Sequence, residues 1–123
     1  MVHKNIHILV VEDDPQVLKL LVGYWLERVF SVVSVDSGTA AVKVLQNQPI
    51  DLLVLDLSMP EPDSFDLLKA LRVTRPDLKI LVVSGYMQGA LLKASEILGA
   101  TASLPKVEAP KSLLKTVVAM LQQ

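Results

Sequence analysis

Four consecutive apolar residues, Leu52 to Leu55, stand between Asp51 and Asp56, with Ser58 and Pro60 just beyond. Such a run has the length of a strand buried on both faces and is too short for a helix. Pro60 cannot continue a ladder, which puts Asp56 at the C-terminal tip of the strand, where the chain turns outward. In an open parallel sheet that edge is where ligands bind. A lone Asp at a strand tip more often caps the following loop, so the weight falls on what else reaches the same edge.

The rest of the chain supplies the sheet. Ile6 to Val11 is a β-branched, apolar strand that stops at Glu12-Asp13-Asp14-Pro15. Asp14 as N-cap and Pro15 as first helical residue open a helix to about Arg28. Its apolar stripe is Val17, Leu18, Leu21, Val22 and Trp25. Phe30 to Val35 is a second strand, mixed enough in polarity to lie at an edge. Ser37-Gly38 opens a second helix through about Gln46, with Ala40, Ala41, Val44 and Leu45 facing inward. Beyond the central strand, Phe65 to Arg72 has helical period, capped by Asp63 or Ser64. Leu78 to Val83 is another uninterrupted strand and ends on Ser84-Gly85. Gln88 to Leu98 is a helix stopped by Gly99. Thr101 to Leu104 is a short strand ending at Pro105-Lys106. Pro110 opens the last helix, which buries Leu113, Leu114, Val117, Val118 and Leu121.

A strand–helix unit repeated in this way, with short connections, predicts an α/β fold of the flavodoxin-like (βα)5 type, a doubly wound parallel sheet. The strongly apolar strands, first, third and fourth, belong in the middle. Strand order 2-1-3-4-5 satisfies that and puts the switch point between strands 1 and 3. At 123 residues the chain reads as one domain, 1–123, with no output domain after the last helix.

Composition removes several function classes. Twelve Lys and Arg against thirteen Asp and Glu, scattered along the chain, leave no basic footprint for nucleic acid or an anionic membrane. The absence of cysteine excludes disulfides, thiolate zinc and thiol nucleophiles. No segment approaches the ~20 apolar residues of a membrane span, and the first residues do not read as a signal peptide. The expectation is a soluble, cytoplasmic protein. His3 and His7 lie outside any motif and read as partly exposed side chains.

The predicted strand tips collect Glu12, Asp13, Asp56, Ser84 and Lys106 at one edge. Carboxylates crowded together raise one another's pKa unless a cation sits among them. Oxygen ligands without His or Cys suit a hard ion, and Mg²⁺, which keeps several waters, fits better than a Ca²⁺ cage. A carboxylate can accept a phosphoryl group when metal and lysine neutralise the transferring oxygens. Asp56 is therefore the candidate nucleophile. Asp13 would bind the metal directly, Glu12 through water, and Ser58 through its backbone carbonyl. Ser84 can donate to a phosphoryl oxygen, and Lys106 pairs with phosphate and carboxylate. Asp14 is left to cap its helix.

These motifs, Val10-Val11-Glu12-Asp13-Asp14-Pro15, Leu55-Asp56-Leu57-Ser58-Met59-Pro60, Val83-Ser84-Gly85 and Leu104-Pro105-Lys106, resemble in order and spacing those of response regulator receiver domains, the phosphoacceptors of two-component signalling. The resemblance covers essentially the whole chain. It implies phosphotransfer to Asp56 from a histidine kinase or histidine phosphotransfer protein, Mg²⁺ dependence and slow self-dephosphorylation without enzymatic turnover. It also implies signalling to a partner or output domain through the face of helix 4, strand 5 and helix 5. Phosphate adds about −1.5 to −2 charges at Asp56 and lets Ser84 swing toward it. The chain departs from the family at Ser103, usually Tyr or Phe, which leaves Tyr86 as the nearest aromatic for the switch. It departs again at Val107, usually proline, and at Ser64, usually glycine. Met87, Ala90, Leu91 and Leu92 on helix 4 hint at a partner surface.

Three other readings compete. An aspartyl-phosphate phosphohydrolase of the haloacid-dehalogenase type needs an acid two residues after its nucleophile, where this chain has Ser58. An FMN electron carrier needs a Ser/Thr/Gly phosphate loop after strand 1, where Glu12-Asp13-Asp14 would repel the phosphate. A degenerate receiver acting only as a docking module is kept open by Ser103 and Val107. The sequence also leaves open whether the chain is a whole regulator or the receiver of a longer one.

Overall fold

The computed structural model describes residues 3–57, 63–85 and 89–123, with the side chains of residues 20, 21, 23–25, 63, 89–92 and 110 outside that description. Strand β1 (His3–Val11) is followed by α1 (Pro15–Val29), β2 (Phe30–Val35), α2 (Gly38–Asn47) and β3 (Leu52–Asp56). Then come α3 (Asp63–Thr74), β4 (Lys79–Ser84), α4 (Gly89–Ile97), β5 (Ala102–Pro105), a 3-10 turn (Lys106–Glu108) and α5 (Ala109–Leu121). The strands form one parallel sheet in the order β2-β1-β3-β4-β5, as expected.

Every residue of β3 is buried, because alternate side chains enter two different cores. Leu52 and Val54 join Ile8, Val10, Leu81 and Val83 against α1 and α5, where Leu26, Leu113 and Val117 meet them. Leu53 and Leu55 join Leu9, Val11, Ile80 and Val82 on the other face, covered by Ala41 and Leu45 of α2 and Leu68 and Leu71 of α3. Burying side chains of this size contributes roughly 1.5–3 kcal/mol each. The sheet centre is therefore the rigid base on which the strand tips stand.

Helix starts follow their caps. The Asp14 carboxylate accepts from the backbone N–H of Gln16 at 2.9 Å and Val17 at 3.5 Å, and Pro15 takes the first helical position. The Ser37 hydroxyl accepts from Ala40 N–H at 3.1 Å. Gly99 ends the α4 segment at φ +125°, a conformation that side chains resist. A Cβ there would stand 2.8 Å from Arg72 Cγ.

Three expectations are corrected. Strand β1 begins at His3 rather than Ile6, since backbone pairing of His3 with Phe30 needs no apolar side chain. Helix α5 begins at Ala109, one residue before Pro110, carried in by the 3-10 turn. Ser64 does not cap α3: the helix already runs from Asp63, and the Ser64 hydroxyl bonds elsewhere. Among the described residues, no helix is long and apolar enough to cross a membrane.

Candidate functional site

The carboxyl edge of the sheet receives the polar residues that end its strands. Strand β1 stops at Val11, and Glu12 N–H then donates to Val35 of β2 at 3.0 Å, so the Glu12 side chain turns in at the switch point between β1 and β3. Asp56 is the last residue of β3 and Ser84 the last of β4; both are buried. Lys106 opens the 3-10 turn directly after β5.

Lys106 spans the gap between them. Its Nζ lies 2.9 Å from Glu12 Oε1 and 2.9 Å from Asp56 Oδ1, while both carboxylates are only 1% exposed. Val107, next in the chain and 82% exposed, does not prevent this seating. Two buried carboxylates and one ammonium are one positive charge short of neutrality, which favours a proton on one of the acids. Burial, reinforced by the hydrogen bond to Asp56, pushes the Glu12 carboxyl up to about 8, against the opposing pull of Lys106. Burial would lower the Lys106 pKa, but its contacts to Glu12 and Asp56 hold the ammonium above its ordinary value.

Asp13, exposed beside them, completes an acidic trio. Glu12, Asp13 and Asp56 each offer a carboxylate oxygen, all within 4.8 Å of one another. An octahedral ion with oxygens at about 2.1 Å spaces its ligands roughly 3 to 4.2 Å apart, so a short side-chain adjustment brings the trio into range. The donor set is all oxygen, hard and anionic, which fits Mg²⁺. A cleft of about 440 Å³ lined by Pro15, Ser34 and Asp36 opens onto Glu12 and Asp13 from the β2 side.

The structure thus brings Glu12, Asp56 and Lys106 into contact, with Asp13 at their rim and Ser84 at the neighbouring tip. Ser58, expected to lend a carbonyl, and Tyr86 and Met87 lie outside the described residues, as do the side chains of Trp25, Ala90, Leu91 and Leu92. Sequence reasoning assigned Glu12 to the metal through water and missed its direct pairing with Lys106. It also missed Ser64, whose hydroxyl donates to the Asp56 backbone carbonyl at 3.0 Å. At Ser103, where the chain departs from the aromatic usual in the family, the hydroxyl donates to Glu96 Oε2 at 2.6 Å and ties β5 to α4.

Comparison with known proteins fits this geometry. A family model described as the response regulator receiver domain matches residues 8–118. The response regulator receiver protein CpdR of Brucella abortus is 36% identical over 84 residues, 68% of this chain and 70% of that protein. The transcriptional regulatory protein GlrR of Escherichia coli is 34% identical over 86 residues, 70% of this chain but only 19% of GlrR. The BeF3-activated N-terminal receiver domain of Klebsiella pneumoniae RstA superposes with a TM-score of 0.84 at 28% identity, covering 95% of this chain and 99% of that one.

Proposed function

Since the chain belongs to the response regulator receiver domain family, we propose that it accepts a phosphoryl group on Asp56 from a histidine kinase or histidine phosphotransfer protein, in the cytoplasm and with Mg²⁺ bound by its acidic trio. The observation that carries this reading is the Lys106 ammonium, 2.9 Å from both Asp56 and Glu12, at the edge where Asp13 stands. In the transfer an Asp56 carboxylate oxygen attacks phosphorus. The bond from phosphorus to the donor imidazole nitrogen breaks, that nitrogen keeps the electron pair, and an acyl phosphate forms. Lys106 holds the carboxylate in place beforehand and faces the phosphoryl oxygens afterwards. Ser84 supplies a hydroxyl donor to the same oxygens. Bound Mg²⁺ would neutralise charge on the transferring group; Asp13, Asp56 and the Ser58 backbone carbonyl would hold it directly, and Glu12 through water.

Self-phosphorylation from small donors and slow self-dephosphorylation belong to the same reading, without a turnover role. Output would leave through the α4, β5 and α5 face toward a partner or an attached domain, with the Ser103–Glu96 bond in place of an aromatic link. The test is Mg²⁺-dependent labelling by acetyl phosphate, followed by intact mass. One phosphoryl group is expected on the wild-type chain and none on Asp56→Ala. Labelling that persists in the variant would remove Asp56 from its role, and an unlabelled wild-type chain would favour a docking module.

A further inference from the structure

We infer that Ser64 is a positioning residue for phosphoryl transfer, holding the Asp56–Leu57 peptide plane and through it the direction of the Asp56 carboxylate. The inference rests on the phosphoacceptor reading of Asp56. The β1–β3 ladder ends with Val11 paired to Leu55, one position before Asp56. Past that point, the peptide unit after Asp56 is gripped at both polar ends. Leu57 N–H donates to the Val83 carbonyl at 2.9 Å, and the Asp56 carbonyl accepts from Ser64 Oγ at 3.0 Å. Bonds at both ends restrain rotation of the plane about the Asp56 Cα–C bond, and with it the backbone from which the carboxylate springs.

Burial makes the contact specific. Ser64 is 2% exposed, so its hydroxyl has little water to bond instead, and losing the donor leaves the carbonyl without that partner in a dry crevice. Ser64 is also the second residue of α3, so the bond joins the start of that helix to the tip of β3. A glycine at this place would have no side-chain donor to offer the Asp56 carbonyl. A carboxylate that must meet Lys106 and an incoming phosphorus atom together gains rate from pre-set direction, since small misplacements of reacting groups are costly.

The experiment compares the full chain with Ser64→Ala and Ser64→Thr. The rate of labelling by acetyl phosphate is measured at saturating donor and Mg²⁺, with folding checked by urea titration. Ser64→Ala should label about fivefold more slowly, the factor carried by one neutral hydrogen bond of ordinary strength. Ser64→Thr, which keeps the hydroxyl, should recover most of the rate. The Asp56 carbonyl ¹³C resonance should move upfield in Ser64→Ala and return in Ser64→Thr. Should Ser64→Ala not fold, Ser64→Cys keeps the volume with only a weak donor and should show the same slowing. A folded Ser64→Ala or Ser64→Cys protein that labels at the wild-type rate with an unmoved Asp56 resonance overturns the inference alone. A wild-type chain that takes no phosphoryl group overturns the phosphoacceptor reading, and this inference with it.

Discussion

Replacing Glu12 with glutamine should make the metal-free protein more stable near neutrality, and the gain should grow with pH. In the folded chain the Glu12 carboxyl is 1% exposed and pushed up to about 8 from an ordinary 4.5. A group whose folded pKa lies above its unfolded value binds its proton more tightly when folded. Its contribution is complete below about pH 4.5 and is lost as pH rises toward about 8. Within that window each pH unit costs about 1.4 kcal/mol. Between pH 5.5 and 7.5 the wild-type chain should therefore lose about 3 kcal/mol relative to Glu12→Gln, which has no proton to release. With a urea slope of about 1–3 kcal/mol/M, the gap between the two midpoints should widen by about 1 M or more. The assay is urea unfolding of both proteins in EDTA at several pH values in this range. A gap that stays constant, or that narrows as pH rises, refutes the claim that Glu12 is held protonated by burial beside Asp56.

Three further outcomes follow from other contacts. Asp13→Ala removes the exposed acid of the trio and should weaken Mg²⁺ binding at least ~tenfold by titration calorimetry, since too few charged oxygens remain for a hard ion; an unchanged isotherm would detach Asp13 from the metal. Gly99→Ala combines a φ of +125° with a Cβ 2.8 Å from Arg72 Cγ, and should cost about 2–3 kcal/mol in urea unfolding; a loss under ~0.5 kcal/mol would mean that the turn relaxes freely. Ser103→Ala breaks the 2.6 Å bond to Glu96, an exposed acid, and should cost under ~1 kcal/mol. It should nonetheless shrink the NMR shifts that beryllofluoride induces in α4, and an identical shift pattern would show that the signal leaves by another path.

What could be read from the sequence and what could not divide along a physical line. Leu52 to Leu55 and Ile80 to Val83 are buried on both sheet faces, and that demand is written locally as an unbroken apolar run. Strand order followed, because only the polar-mixed strands tolerate an edge. The gathering of Glu12, Asp13, Asp56, Ser84 and Lys106 was legible for the same reason: each ends a strand or follows its end by one or two residues, and parallel strands all end on one side. Contacts that depend on the spacing between elements were not legible. Glu12 to Lys106 crosses from β1 to the residue after β5, and Ser103 to Glu96 crosses from strand to helix. Ser64 carried a misleading local signal, since a serine at a helix start is ordinarily its cap.

The cations that bond helix-end carbonyls and the buried acids of the site stand at opposite ends of the sheet, and that placement separates stability from chemistry. At the amino edge, cationic side chains bond carbonyls at or just past helix C-termini, where the partial charge is negative. Lys4 donates to the carbonyls of Glu27 and Phe30, Arg75 to Leu45 at 2.8 Å, and Lys79 to Met120 at 2.7 Å. Arg72 reaches Pro76 at 2.8 Å and Gly99 at 2.8 Å, joining the exits of α3 and α4. These bonds complement fixed dipoles and involve neither Asp56 nor the acidic trio. At the carboxyl edge the balance is reversed: buried acids outnumber the cation between them, and burial favours a proton on Glu12. A ligand that binds the folded edge and replaces that proton stabilises the fold by RT ln(1 + c/Kd), where c is the free ligand concentration. Mg²⁺ should therefore raise the urea midpoint most at pH 7.5–8, where the Glu12 proton is being lost, and little at pH 5.5. Equal stabilisation at both values would mean that the ion and the proton do not compete for the same carboxylates.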